Sequence, residues 1–433
     1  MSPYLTKSRV YLLVALVGCS LLFHGCDQCE DRYTYTYYEP VYTPLSVIRS
    51  SVALDEPRAI TGVGKIYFKD GYLYVNEPGK GIHVIDNRDP ASPVVKHFIT
   101  IPGNFDMAIR NNILYADSYI DLVALDISNP DQVVEVSRLE NIFSQYNSMG
   151  IYVDAQRGLV TEWEEKKNVE ITETPCDASI QPWGGYYYRG GIVMYAEGDM
   201  AFKASGLTGS STGVGGSMAR FTINTDHLYM IDGGKLHTAD VADPTQLVKK
   251  SSTHLSWDIE TIFPYDDKLF IGSQSGMHIF SLEDPANPKK VSTYEHVRSC
   301  DPVVVEGNTA YVTLRSGTAC QGFTNQLEVI NVADWSKPAL VKVYPMHNPH
   351  GLGVDESLLF ICDGGAGLKI YDATDQQNID KHLIKHYDKI HAYDVIPLND
   401  VLMLIGEDGI YQYDYSDPTK IKLLSKLSIK IEE

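Results

Sequence analysis

Gly81-Ile-His-Val-Ile-Asp86-Asn-Arg-Asp89-Pro90 decides the fold, because the phrase keeps returning along the chain. It recurs as Leu122-Val-Ala-Leu-Asp126-Ile-Ser-Asn129-Pro130, Leu236-His-Thr-Ala-Asp240-Val-Ala-Asp243-Pro244 and Met277-His-Ile-Phe-Ser281-Leu-Glu-Asp284-Pro285. Later copies are Leu327-Glu-Val-Ile-Asn331-Val-Ala-Asp334, Leu368-Lys-Ile-Tyr-Asp372-Ala-Thr-Asp375 and Ile410-Tyr-Gln-Tyr-Asp414-Tyr-Ser-Asp417-Pro418. Counted at the second acidic or Asn position, the steps are 40, 114, 41, 50, 41 and 42 residues. A period near 40 with strand-like content means repeated four-stranded units arranged as a propeller.

The last unit shows why. Asp394-Val-Ile-Pro-Leu and Val401-Leu-Met-Leu-Ile405 are apolar runs separated by a turn at Asn399-Asp400. Gly406-Glu-Asp-Gly409 turns again, Ile410-Tyr-Gln-Tyr-Asp414 alternates, and Ile421 to Leu427 is more polar. Short runs rich in β-branched and aromatic residues, bounded by Gly, Asn, Asp or Pro, read as strands. Two continuous apolar strands imply burial on both faces, and the Lys-bearing last strand is an edge facing water. No apolar stretch reaches helical length at helical spacing. In the Asp-x-x-Asp-Pro turn, Asp or Asn accepts from the backbone two residues on and Pro presets φ. That turn reads as structural.

The same parsing gives eight segments, starting near Ala59, Asp106, Asn147, Ser217, Ile259, Asp301, Pro349 and Asp394. The expected fold is therefore all-β, a propeller of about eight four-stranded blades over 58–430, or seven if the third module is degenerate. That module rests on Met149-Gly-Ile-Tyr-Val-Asp and Gly158-Leu-Val-Thr-Glu-Trp. After Glu170 the pattern dissolves into an irregular insertion, 171–217. Its first part contains Trp183 and Tyr186, Tyr187 and Tyr188, aromatics able to stack on a sugar ring or a partner, or to tuck into a groove at the propeller's rim. Its second part, Gly206 to Gly216, reads as flexible loop.

Ahead of the repeats lie two further segments. Residues 1–25 read as a signal: Lys7 and Arg9 precede an apolar run from Val10 to Phe23, too short for a transmembrane span. The run ends at either of two lipid-attachment cysteines. Leu16-Val-Gly-Cys19 matches a lipobox residue by residue; Phe23-His-Gly-Cys26 uses the whole run and leaves a polar start, which favours Cys26. Residues 26–57 form a leader expected to pack on the propeller. Tyr33-Thr-Tyr-Thr-Tyr37 reads as a strand added to a blade edge, and Leu45 to Leu54 as a short helix with Thr43 as N-cap and Pro44 at its first position.

The chain of 433 residues carries a formal charge of −20, or −22 once residues 1–25 are removed with Lys7 and Arg9. Such a field repels phosphate backbones and argues against nucleic-acid binding. Export would place the cysteines in an oxidising compartment. Cys300 and Cys320 fall before the first and after the second strand of one repeat, which brings them together as a disulfide. Closing a loop of roughly 20 residues contributes about 3 kcal/mol. Cys362, in an apolar run, reads as a buried free thiol; Cys29 and Cys176 stay unassigned.

The residues just before each inner strand face the mouth of the central channel: Asn104-Phe-Asp106, Tyr146-Asn147, Asp258-Ile-Glu260, Cys300-Asp301, Asn348-Pro-His350 and His391-Ala-Tyr-Asp394. Crowded carboxylates raise one another's pKa or recruit a hard cation such as calcium. Asp106, Asp301 and Asp394 are the candidate ligands, set against the plainer reading of solvated turn residues with no cofactor. His350 and His391 are the nearest thing to an acid/base pair, beside Asp301 and Asp394. Recognised catalytic motifs are absent from the sequence.

The repeat Gly-(Leu/Ile)-x-Val-Ile-Asp-x-x-(Asn/Asp)-Pro resembles the LVIVD repeat of bacterial and archaeal cell-surface propellers, over roughly residues 59–428. The stretches Asp301-Pro-Val-Val-Val, Tyr311 to Cys320 and Asn325 to Ile330, with the Cys26-x-x-Cys29 leader, are similar to the Bacteroidetes branch. The resemblance implies an outer-membrane or cell-surface lipoprotein, held to the membrane by its lipid anchor, and supplies no catalytic residues. The expected function is a non-catalytic binding or scaffold propeller, a monomer, for an envelope protein or glycan. The alternative is a polysaccharide hydrolase or lyase at the channel mouth.

Overall fold

The computed structural model describes residues 33–143, 153–171, 203–204, 214–217, 219–255, 259–296, 302–316 and 324–430. Two compact units emerge, 42–161 with 198–433, and 1–41 with 162–197. The larger unit contains seven four-stranded antiparallel blades, each made of consecutive strands. Their inner strands are Ile66–Lys69, Met107–Arg110, Phe221–Asn224, Ile259–Tyr265, Val303–Glu306, Leu352–Asp355 and Ala392–Leu398. We number the blades 1 to 7 in that order.

Burial follows the sequence pattern. In blade 5 the second strand, Thr309–Leu314, is buried at every position, whereas the outer strand of blade 3, Val248–His254, is exposed at most of its positions. The buried side chains of adjacent blades interleave: Ile66, Leu73 and Val75 of blade 1 pack with Ile396, Met403 and Ile405 of blade 7. That cluster joins the two ends of the ring.

The repeated phrase is accounted for almost atom by atom. The first acidic residue accepts from the N–H two residues on, as in Asp126 from Ser128 at 2.8 Å and Asp414 from Ser416 at 3.0 Å. The second does the same, as in Asp89 from Ala91 at 3.0 Å and Asp417 from Thr419 at 3.0 Å. These turns also receive the preceding blade. Ser137 of blade 2 donates to Pro244 O at 2.6 Å, Ser251 of blade 3 to Ala286 O at 2.8 Å, and Ser292 of blade 4 to Trp335 O at 2.5 Å. Ser425 of blade 7 donates to Pro90 O at 2.6 Å, and the buried amides of Asn87 and Gln412 exchange hydrogen bonds of 2.8 and 2.6 Å. The glycine that opens the phrase has a steric cause. A Cβ on Gly81 or Gly367 would stand 2.0 Å from Ile99 O or 1.9 Å from Tyr387 O, and both residues hold positive φ, 145° and 90°.

Of the two blade counts the sequence allows, eight and seven, the structure has seven. Residues 159–171, expected inside a third module, form the strand Leu159–Ile171, which pairs with Tyr33–Thr43 in a separate two-stranded sheet. The physical reason is composition: Glu162-Trp-Glu-Glu-Lys-Lys continues the strand with charges, and an inner blade strand is buried on both faces. Before it, Asp154 and Gly158 exchange 2.8 Å backbone hydrogen bonds across a tight turn.

Three further expectations change. The Tyr33 strand joins no blade; the leader strand that does is Ala53–Asp55, on the outer edge of blade 1. The helix is shorter, Leu45–Ser50, with Pro44 at its cap. Thr43 instead ends the preceding strand, its hydroxyl 2.7 Å from that of Thr161, while Ser50 and Ser51 turn their hydroxyls onto Val47 O and stop the helix. Part of the Gly-rich stretch is ordered backbone: Val214–Ser217 pairs with the inner strand of blade 1, and Lys203–Ala204 pairs with Val214–Ser217. Cys362 is a fully buried free thiol, as expected, with burial pushing its pKa up. Cys29, Cys176, Cys300 and Cys320 lie outside the described residues. Among the described residues no helix is long and apolar enough to cross a membrane.

Candidate functional site

One residue per blade occupies a common register at the start of the inner strand, opposite the end of the second strand. In blades 1, 2 and 3 these residues are Lys65, Asp106 and Arg220, whose carbonyls accept from Asn76, Asp117 and Ile231. In blades 4 to 7 they are Thr261, Pro302, Gly351 and Asp394. Around the ring from blade 7 to blade 3 the signs alternate: Asp394, Lys65, Asp106, Arg220. Sequence reading looked for crowded acids and missed the two cations. The signal was present, since Lys65-Ile-Tyr-Phe and Arg220-Phe-Thr-Ile align with Asp106-Met-Ala-Ile once the blades are set in register.

Asp106 is buried and accepts from Arg220 N at 2.5 Å and Met107 N at 2.7 Å. Burial raises its pKa, with Lys65 and the two N–H donors pulling the other way. Burial lowers the pKa of Lys65, countered by Asp106, Asp394 and Asp117. Asp117 is pushed up to about 7 by burial, although its Oδ1 accepts from Phe105 N at 2.8 Å, Asp106 N at 2.9 Å and Asn104 Nδ2 at 2.7 Å. Asn104 in turn accepts from Asn76 Nδ2 at 2.6 Å, tying blade 1 to blade 2. These residues are not solvated turn groups, because Asn104, Asp106, His350 and Asp394 are all buried. Buried polar groups hold their place only when they are hydrogen-bonded or paired.

The second half of the mouth is aromatic. The His350 ring lies 6.4 Å from His391 and 5.3 Å from Tyr393, and His391 lies 4.8 Å from Tyr393. Asp363, buried at the end of the second strand of blade 6, pins the approach to His350 by accepting from His347 N, Asn348 N and Lys369 Nζ. His350 Nε2 is 3.4 Å from Asn348 Nδ2, and its Nδ1 has no hydrogen-bond partner. Burial, with Arg315 and His391 nearby, brings the His350 pKa down to about 3. His391 stays half-exposed, its Nδ1 3.4 Å from Glu407. The strands Lys203–Ala204 and Val214–Ser217 lie against the inner strand of blade 7, and Lys203–Ala204 also lies against that of blade 6. The chain's own backbone thus runs along the inner strands of blades 1, 6 and 7.

Of the sequence candidates, the structure brings together His350, His391 and Asp394 on blades 6 and 7, and sets Asp106 two blades from Asp394. Glu260 accepts from Gln274 at 3.2 Å. Asp301, Asp258, Tyr146, Asn147, the aromatics Trp183, Tyr186, Tyr187 and Tyr188, and the lipid-attachment candidates Cys19 and Cys26 lie outside the described residues. Among the described residues no group of three His, Cys, Asp or Glu side chains could hold a metal ion.

The model of the LVIVD repeat matches residues 63–100 and 106–140, which are blades 1 and 2. No curated protein matches the sequence. The computationally designed Ika8 protein aligns at TM-score 0.49 and 9% identity, covering 87% of this chain and 92% of its own. BamB from Moraxella catarrhalis aligns at 0.46 and 8%, covering 88% and 97%. Sqt1 from Saccharomyces cerevisiae aligns at 0.47 and 8%, covering 90% and 87%. The chain carries LVIVD repeats within a seven-bladed β-propeller.

Proposed function

We propose that the protein is a lipid-anchored surface protein whose propeller is a non-catalytic binding or scaffold module for an envelope protein or a glycan. The observation that supports this most is the state of the mouth. Its cations and carboxylates alternate, Asp106 accepts from the backbone N–H groups of Arg220 and Met107, and the Arg220 guanidinium donates to Ile231 O at 3.1 Å. With a pKa of about 3, His350 is too weak a base and too readily deprotonated an acid to move protons near neutral pH. What the mouth offers a ligand is aromatic surface from His391 and Tyr393, the kind of surface on which sugar rings and partner side chains stack.

Pull-down of envelope proteins and a glycan array, both with the exported domain, test the binding reading. A partner whose capture is lost in a His391→Ala, Tyr393→Ala variant of unchanged melting temperature supports it; silence on both refutes it. The anchor is tested separately: Cys26→Ala should release the protein from membranes, and release by Cys19→Ala alone would move the attachment point.

A further inference from the structure

A second site lies away from the mouth, on the flank where blade 2 meets blade 3. A pocket of about 420 Å³ is lined by Asn141, Phe143, Lys235, His237, Lys249 and His254, with Ser252 beside His237. We propose that this pocket binds an oxyanion, a carboxylate, sulfate or phosphate group, with Lys235 and Lys249 as its cationic walls and His237 as its floor.

Three observations carry the proposal. First, the pocket concentrates positive charge on a chain whose formal charge is −20. Several lysines elsewhere are matched with acids, Lys250 with Asp240, Lys268 with Asp267, Lys369 with Asp363 and Lys426 with Asp408, while others, such as Lys290 and Lys342, stand on outer strands with no salt bridge among the described residues. Lys235 and Lys249 have no salt-bridge partner among the described residues, and the Lys249 ammonium donates to Ile142 O at 3.5 Å. Second, His237 is 3% exposed, and its Nε2 makes no hydrogen bond. The nearest acid, Asp232, stands 3.9 Å from that nitrogen, outside hydrogen-bond range. Leaving a buried polar atom unmatched costs free energy that a ligand oxygen would recover. Third, the tautomer needed is available. His237 Nδ1 is 2.8 Å from Ser252 Oγ, so the hydroxyl can donate to Nδ1 and leave the ring proton on Nε2, a donor toward the anion. The Phe143 ring, edge-on at 6.1 Å, fixes the imidazole from the blade 2 side. Burial, with both lysines nearby, brings the His237 pKa down to about 4, so the ring is neutral at pH 7 and the charge comes from the lysines.

This site does not depend on the mouth being a binding surface. It is tested by titrating the exported domain, at constant ionic strength, with sodium sulfate, sodium phosphate, a uronate oligosaccharide, a sulfated oligosaccharide and a neutral oligosaccharide. Melting temperature and calorimetric heat are the readouts. Saturable binding of one or more of the anions, with none for the neutral sugar, is expected. If sulfate or phosphate binds as well as the saccharides, the ligand is the free ion; if only the saccharides bind, it is an acidic glycan; both outcomes support the oxyanion site. Charge-assisted hydrogen bonds set the scale for the variants: a Lys235→Gln, Lys249→Gln double variant should lose affinity about tenfold or more. Ser252→Ala, which leaves the charges in place, should weaken binding less. Absence of saturable anion binding, or binding unchanged in the double variant, overturns the proposal.

Discussion

Replacing Gly367 by Ala should destabilise the ring through one identifiable collision. The new Cβ would stand 1.9 Å from Tyr387 O and 2.8 Å from the adjoining carbonyl carbon, on a backbone held at φ 90°. Left-handed backbone on a residue with a Cβ costs about 1–2 kcal/mol. Relief of the clash requires the third and fourth strands of blade 6 to part where Leu368 pairs with Tyr387. That loosens one or two ladder hydrogen bonds, at about 1 kcal/mol each. The total is about 2–4 kcal/mol. Unfolding entropy of about 2.1 cal/mol/K per residue over a ring of roughly 360 residues turns this into a fall of about 3–5 °C in melting temperature. Gly62→Ala is the control, because its Cβ would meet nothing within 4 Å. Scanning calorimetry of both variants decides the matter. A Gly367→Ala protein that melts with the parent would refute the steric account of the repeat's glycine.

Other consequences follow from the same geometry. Unfolded His350 takes a proton near pH 6.5 while the folded residue resists to about pH 3. A depressed pKa gives stability that is present above the unfolded value and lost as pH falls. Between pH 7 and pH 5 this amounts to about 2 kcal/mol, so urea midpoints should fall, and His350→Asn should flatten the fall by about that much. Cys362, fully buried, should resist alkylation in the native state and react on unfolding, as read by peptide mass spectrometry. Arg49 joins the leader helix to Asp121 of blade 2 at 2.7 Å, where Arg138 also binds. Arg49→Ala should cost about 1–3 kcal/mol and expose the 43–58 segment to limited proteolysis, since it removes charged hydrogen bonds to a buried carboxylate.

The ring was legible in the sequence because its signal is local. A turn of two acids and a proline, an opening glycine and two apolar strands each have a cause within one blade, and the structure supplies those causes at Asp126, Asp89 and Gly81. Blade number was less legible. Gly158-Leu-Val is apolar enough to imitate an inner strand, and only the charged run from Glu162 shows that it leads into a two-stranded ribbon. Pairing across 120 residues, as between Tyr33–Thr43 and Leu159–Ile171, leaves no trace in either segment alone. At the mouth, acids at Asp106 and Asp394 and histidines at 350 and 391 were visible. The alternation of those acids with Lys65 and Arg220 was not, because it appears only when the registers of the blades are laid side by side. The pocket over His237 needed contact between blade 2 and blade 3, which no single repeat contains.

The most direct test of a non-catalytic mouth is to follow binding and turnover in one sample. The domain of residues 26–433 is incubated with each polysaccharide of a panel, its melting temperature is recorded, and the solution is assayed for new reducing ends and for unsaturated products. The expected result is a raised melting temperature with at least one ligand and no product. Product that accumulates catalytically, and disappears in His391→Ala, would contradict the account.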